Sequence, residues 1–214
     1  HYAPKARVQV IYNGVLAEAR FQALAIDVDT RWQHPQPFTF IMVGLIHPGK
    51  HQIEAVEALR LVRDRGADAR LVIVGTGREK PLRARISELG MDAHVDLVGY
   101  QPDPFPLLLK AHAMLMCSRH EAMGRATVEA MACGLPVIGH ASGGTPELIE
   151  DCKSGLLYEG GAGPLADRMG QLAGDAVQAR IMGQAAQASS AARFSVERCC
   201  TEVHAVYQEV LKGC

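Results

Sequence analysis

The chain has 214 residues, 48% of them hydrophobic, and 22 basic against 23 acidic side chains give it a formal net charge of -1. That length suffices for one large domain or two small ones with a real core, and the balanced charge excludes a global field for nucleic acid or an anionic membrane. Any anion has to be bound locally.

In chain order, residues 1–37 read as an irregular approach segment that includes Asp27, Asp29, Pro35 and Pro37; within it the apolar run "VQVIYNG" (8–14) ends in an Asn-Gly turn. "FTFIMVG" (38–44) is a strand stopped by glycine. A helix is predicted over 51–65, with Ile53, Val56, Leu59 and Val62 on one face and Glu54, Glu57, Arg60 and Arg63 mostly turned away. The pattern repeats as strand 70–75, helix 79–89, strand 95–99, a short helix after Pro104, and strand 112–117. A glycine-entered helix then leads to strand 135–139. Thr145 as N-cap and Pro146 at the first helical position open a further helix, before strand 155–160. From about Gly163 onward the chain reads as Ala-rich amphipathic helix, with Ser195 capping the last one.

Continuously apolar strands separated by helices predict a doubly wound, Rossmann-like parallel α/β sheet covered on both faces, with helices at the C-terminal end. No run of 18 apolar residues occurs and no signal-peptide pattern is visible, so nothing is expected to span a membrane. The six cysteines form no CxxC pair, which points to a reducing cytoplasm.

In such a sheet, ligands bind beyond the carboxyl ends of the strands, where helix N-termini present free N–H groups. Four glycine loops fall there: Gly44–Lys50, Gly75–Gly77, Gly99–Tyr100 and Gly139–Gly144. Each alone reads equally as a strand end. "VGTGREK" lacks the third glycine of a dinucleotide fingerprint and no GxxxxGK[ST] occurs, which sets aside a nicotinamide dehydrogenase. Lys50 and Arg125 both stand at helix starts, the end where the dipole disfavours cations. A diphosphate sharing the site would reverse that balance; a solvated first-turn side chain is the competing reading. Glu129 is the one charged residue between Ala126 and Ile138. Paired carboxylate oxygens suit vicinal hydroxyls, so Glu129 is a candidate for a ribose and Glu121 for a sugar, against surface-acid readings of both. His120 reads as an exposed loop histidine. Asp27-Val28-Asp29 spells a DxD pair that a metal-dependent transferase would use for a divalent cation, but no apolar strand precedes it.

"VIYNGV", "HPGKH", "RLVIVGTG", "VDLVGY" and above all "SRHEAMGRATVEAMACGLPVIGHASGGTPELIEDCKSGLLY" resemble the C-terminal, donor-binding domain of retaining GT-B glycosyltransferases of group 1, over about residues 8–160. The resemblance implies transfer of a hexose from a nucleotide-diphosphate sugar to a saccharide or lipid-linked saccharide acceptor. In that reading residues 38–214 are the donor domain and 1–37 lead in from an N-terminal domain absent here. By position, Glu129 would bind ribose hydroxyls, Glu121 the transferred sugar, and the amides of Met123, Gly124 and Arg125 sugar and phosphate. Lys50 would pair with the diphosphate, with Gly44 at the turn before it, while Gly75, Gly99 and Tyr100 would frame the base. No divalent metal and no cofactor are implied, because basic side chains and helix ends neutralise the leaving phosphate. Leu45 replaces the arginine usual after the strand-ending glycine, and "EAMG" replaces "EGFG", so that Ala122 and Met123 reshape the sugar pocket. The alternative is a nucleotide-sugar-binding module with no activity of its own.

Overall fold

The computed structural model describes residues 8–25, 30–32 and 37–212. Six strands form one parallel sheet: β1 (Phe38–Val43), β2 (Ala69–Val74), β3 (Val95–Gly99), β4 (Ala113–Met116), β5 (Val137–His140) and β6 (Gly155–Tyr158), in the order β3-β2-β1-β4-β5-β6. The sequence order reverses between β1 and β4, which is the topological switch point. β1 runs in register with β2 from Phe38↔Ala69 to Val43↔Val74 and meets β4 at Phe40↔Ala113 and Ile41↔Met114.

The helices are α1 (Glu18–Ala25), α2 (Gln52–Asp64), α3 (Glu79–Glu88), α4 (Phe105–Leu108), α5 (Arg125–Ala132), α6 (Thr145–Leu148), α7 (Ala162–Gly174), α8 (Ala176–Arg193) and α9 (Val196–Lys212). One apolar layer joins the sheet to α2, α3 and α7 through Val56, Leu59, Leu82 and Met169; the opposite layer joins it to α1, α5 and α8 through Phe21, Met131 and Ala186. All four residues of β4 are buried, as a strand covered on both faces requires. Each fully buried Leu, Ile or Phe in these layers contributes about 1.5–3 kcal/mol.

Residues 8–14 lie outside the sheet, with Val8 and Val10 exposed. Three expectations are corrected. The approach segment is not irregular throughout, since α1 buries Phe21 and Leu24. Gly144, rather than Thr145, occupies the cap position of α6; Thr145 and Pro146 are its first two residues, and the Thr145 hydroxyl is buried without a partner. The long Ala-rich stretch breaks at Asp175, whose carboxylate accepts from the Gln178 amide and starts a separate α8. Ser195 does cap α9, accepting from the Arg198 amide at 3.1 Å.

Two packing details fix α5. A Cβ on Gly183 of α8 would lie 2.2 Å from the Gly134 carbonyl oxygen, so only glycine lets α8 approach the turn that ends α5. The last carbonyls of α5 are also capped: the Gln187 amide donates to Ala132 O at 2.9 Å and the Arg31 guanidinium to Cys133 O at 2.5 Å. A cation there complements the helix dipole.

Candidate functional site

Three strand-ending glycines lie side by side. The Gly44 amide donates to Val74 O at 2.9 Å and the Gly75 amide to Gly99 O at 2.8 Å. A Cβ on Gly75 would fall 1.9 Å from Gly44 O, so these loops touch backbone to backbone and leave the crevice floor free of side chains. Tyr100, beyond Gly99, is 71% exposed.

Lys50 ends a 3-10 turn, Pro48–Lys50, just before α2. His47 starts that turn by accepting from the Gly49 amide at 3.1 Å, and the Gln52 side-chain amide donates to Leu45 O at 2.9 Å. His51 adopts the left-handed conformation (φ 54°), which turns the chain into α2. Lys50 Nζ donates to Glu121 Oε2 as a direct ion pair.

Glu121 sits in the loop between β4 and α5. Its carbonyl accepts from the Gly144 amide at 2.7 Å. A Cβ at Gly144 would stand 1.9 Å from Ala122 O, and one at Gly143 2.6 Å from Glu121 O, so the two glycines are what let the β5–α6 loop back the Glu121 loop. Gly124 (φ 58°) is the left-handed entry into α5. Met123 is half-buried against the α5 core layer, and Arg125, the first residue of α5, is exposed.

Glu129 lies one turn on from Arg125, on the same face of α5. It is half-buried, and its carboxylate makes no hydrogen bond or ion pair with the described residues. Burial pushes its pKa up from the ordinary carboxylate value, while the positive charge of Arg125 pulls the other way.

The structure thus brings Lys50 to Glu121, aligns Gly44, Gly75 and Gly99, and sets Arg125 and Glu129 on one helix face without an ion pair between them. Tyr100 makes no hydrogen bond to any described residue. Two open clefts lie outside these residues, one lined by Asp151, Tyr158 and Arg168, the other by His47, His51 and Arg78. Asp27 and Asp29 lie outside the described residues. Among those described, no group of three or more His, Cys, Asp or Glu side chains could hold a metal ion.

Sequence reasoning missed a buried polar cluster behind the site. Glu54 was expected on the outer face of α2, yet it is buried, while Ile53 is 39% exposed. The Tyr158 hydroxyl donates to Glu54 Oε1 at 2.9 Å and the Arg119 guanidinium to Glu54 Oε2 at 3.0 Å. Burial raises the pKa of the Tyr158 hydroxyl and pushes the neighbouring Cys117 thiol up to about 12. The available signal was a tyrosine ending an otherwise apolar edge strand, "GLLY", which needs a polar partner when buried.

The family model for glycosyl transferases group 1 matches residues 29–189. The chain belongs to this family. The chain is 35% identical over 147 residues to N-acetyl-alpha-D-glucosaminyl L-malate synthase of Bacillus anthracis, covering 68% of this chain and 39% of that protein. It is 33% identical over 125 residues to a GDP-mannose-dependent phosphatidylinositol dimannoside mannosyltransferase of Mycobacterium tuberculosis, covering 57% of this chain and 32% of the other. HepE of Anabaena, solved in complex with UDP, shares the fold with a TM-score of 0.82 at 24% identity, over 94% of this chain and 57% of HepE. The C-terminal domain of the group 1 protein LpcC from Francisella tularensis matches with a TM-score of 0.68 at 23% identity, over 88% of this chain and 97% of that domain. The group 1 chain therefore spans well under two thirds of the curated relatives it matches.

Proposed function

We propose that this chain is the donor-binding half of a retaining hexosyltransferase, taking a hexose from a nucleotide-diphosphate sugar. The observation that carries the reading is Glu129: a half-buried carboxylate with no partner among the described residues, set below a helix start and beside an ion-paired Lys50–Glu121 crevice. Burying a carboxylate without donors is costly, and two ribose hydroxyls would supply them.

In this reading Glu129 accepts from the ribose hydroxyls and the free amides at the start of α5, with Arg125, face the phosphates. Lys50 turns to the diphosphate and Glu121 to hydroxyls of the hexose. Gly75, Gly99 and Tyr100 border the base. During transfer the bond from the anomeric carbon to the diphosphate oxygen breaks, and the electron pair leaves with the diphosphate. The acceptor hydroxyl attacks from the same face and its proton passes to the departing phosphate oxygen, so configuration is retained. Lys50 and the α5 amides stabilise the charge that develops, without a divalent metal. The acceptor, a saccharide or lipid-linked saccharide, would be held by a separate N-terminal domain, at the cytoplasmic side of a membrane where polysaccharide or glycolipid is assembled.

One observation favours a second reading, a nucleotide-sugar-binding module without activity: Leu45, 60% exposed, stands where the resemblance leads one to expect a diphosphate-contacting arginine. Calorimetry with UDP, GDP, ADP and their hexose conjugates, with and without EDTA, tests both readings. Binding of one nucleotide series in EDTA, with slow release of free hexose, supports the half-enzyme; binding with no turnover supports the module; absence of binding at millimolar concentration sinks both.

A further inference from the structure

Arg119 is two residues before Glu121, and its side chain and backbone carbonyl together reach three separate elements. Its guanidinium donates to Glu54 Oε2 of α2 at 3.0 Å and to Gly160 O beyond β6 at 3.2 Å. Its own carbonyl accepts from the Ser142 hydroxyl of the β5–α6 loop at 2.8 Å. Ser142 spends its proton on that bond, so the 2.8 Å contact between its oxygen and His140 Nδ1 places a proton on Nδ1. His140 stays neutral more readily than a free imidazole because burial lowers its pKa, and its ring packs edge-on against Tyr158 at 5.1 Å. Tyr158 closes the circuit by donating to the other Glu54 oxygen.

Glu54 is the centre of this network. Its side chain is 10% exposed, and both oxygens are engaged. It also lies one helical turn into α2, directly behind the turn that carries Lys50. The crevice therefore has a rear strut: α2, which presents Lys50, is tied through Glu54 to the loop that presents Glu121.

We infer that Glu54 is a positioning residue, acting through Arg119 to hold Glu121 where it can meet the transferred sugar. The inference rests on the donor-binding reading of Glu121. Nothing in the network touches the crevice floor at Gly44, Gly75 and Gly99 or the α5 face of Glu129. Lys50 sits on a turn held by bonds of its own, from the Gly49 amide to His47 Nδ1, from the Lys50 amide to His47 O and from the Gln52 side chain to Leu45 O, so loss of the strut acts on the sugar end of the ligand and spares the nucleotide end.

The test compares the parent with Glu54→Gln and Arg119→Gln in two ways. Hydrogen exchange on the ligand-free proteins reads the order of the loop: both variants should raise exchange at residues 118–124 and leave the interior of α5 unchanged. Calorimetry with UDP, GDP, UDP-glucose and GDP-mannose should show the sugar conjugate weakened about fivefold or more, with the matching diphosphate within about twofold, the loss expected of one charge-assisted contact at the sugar. The double variant should lose no more than either single one, because both break the same link. Tyr158→Phe, which leaves the Glu54–Arg119 pair intact, should give a smaller loss in the same direction and guards against a Glu54 variant that fails to fold. Unchanged loop exchange, or equal losses for diphosphate and sugar conjugate, overturns the positioning role. A parent that binds no nucleotide conjugate overturns the donor reading of Glu121 instead, while the exchange data still decide whether Glu54 orders its loop.

Discussion

Lys50 and Glu121, 71 positions apart in the chain, are joined side chain to side chain across the crevice. In the ligand-free protein the groups proposed to meet diphosphate and sugar satisfy each other, so the donor has to replace this ion pair with a Lys50–phosphate pair and hydrogen bonds from sugar hydroxyls to Glu121. Glu121→Gln should release Lys50 and tighten binding of a bare nucleoside diphosphate, while a nucleotide sugar gains nothing. Lys50→Ala should weaken both ligands by about 1–3 kcal/mol, the range for hydrogen bonds to charged groups. Calorimetry with paired ligands checks this, and a uniform loss from Glu121→Gln would contradict it.

Glu129 gives a prediction about pH. Its pKa is raised in the folded chain because burial disfavours the carboxylate. The folded state therefore holds the proton more tightly than the unfolded state, and the group's contribution to stability is fully present below the ordinary carboxylate pKa and is lost as pH rises through the folded value. At neutral pH the ionised, unpartnered side chain destabilises the empty protein. Glu129→Gln should raise Tm at pH 7.5 and lose that advantage near pH 4, while nucleotide affinity drops by about 1–3 kcal/mol. Thermal melts at the two pH values, together with nucleotide binding, test the trade. A variant less stable than the parent at pH 7.5 would show that Glu129 is already satisfied without ligand.

Leu45 is an exposed apolar side chain beside Gly44. Leu45→Arg would set a second cation near Lys50, and a phosphate contact from a guanidinium is charge-assisted. Diphosphate affinity should rise about three- to tenfold, corresponding to about 0.7–1.4 kcal/mol, with little change in Tm. No gain in diphosphate binding would place the phosphates away from this loop.

The strand-end glycines differ in what they tolerate. Gly99 (φ 73°) has open space around it, so Gly99→Ala should cost only the left-handed backbone penalty of about 1–2 kcal/mol. Gly75→Ala drives a methyl to 1.9 Å from Gly44 O in a backbone conformation that already favours glycine, and should cost well above that. Urea unfolding of the two variants measures the difference; equal costs would mean that the Gly44–Gly75 contact yields easily.

The parallel sheet was legible because its strands are apolar throughout and its helices carry clear periodicity; "FTFIMV" and "AMLM" admit no half-exposed reading. Gly124 and Ser195 announced their helices by local chemistry. Other features depend on tertiary contacts and left no local trace. The helix α1, with Phe21 and Leu24 buried, lay within a segment read as irregular. Glu54 was misplaced because one helical position separates an inward from an outward face, and a partnered buried acid breaks the apolar pattern. The Lys50–Glu121 pair was visible as two separate candidates, never as partners, since only the switch point at β1 and β4 brings them together.

The close approach of Gly183 to Gly134, with Arg31 and Gln187 on the last carbonyls, gives α5 an end stop. The helix that carries Arg125 and Glu129 is blocked from sliding inward, so in the donor-binding reading a diphosphate meets a fixed seat and the accommodation falls to the loops opposite. A side chain at position 183 would push on that seat from its far end. It would then change nucleotide affinity from a residue no ligand touches, which makes the rear of α5 a place where binding strength could drift without any alteration to the crevice itself.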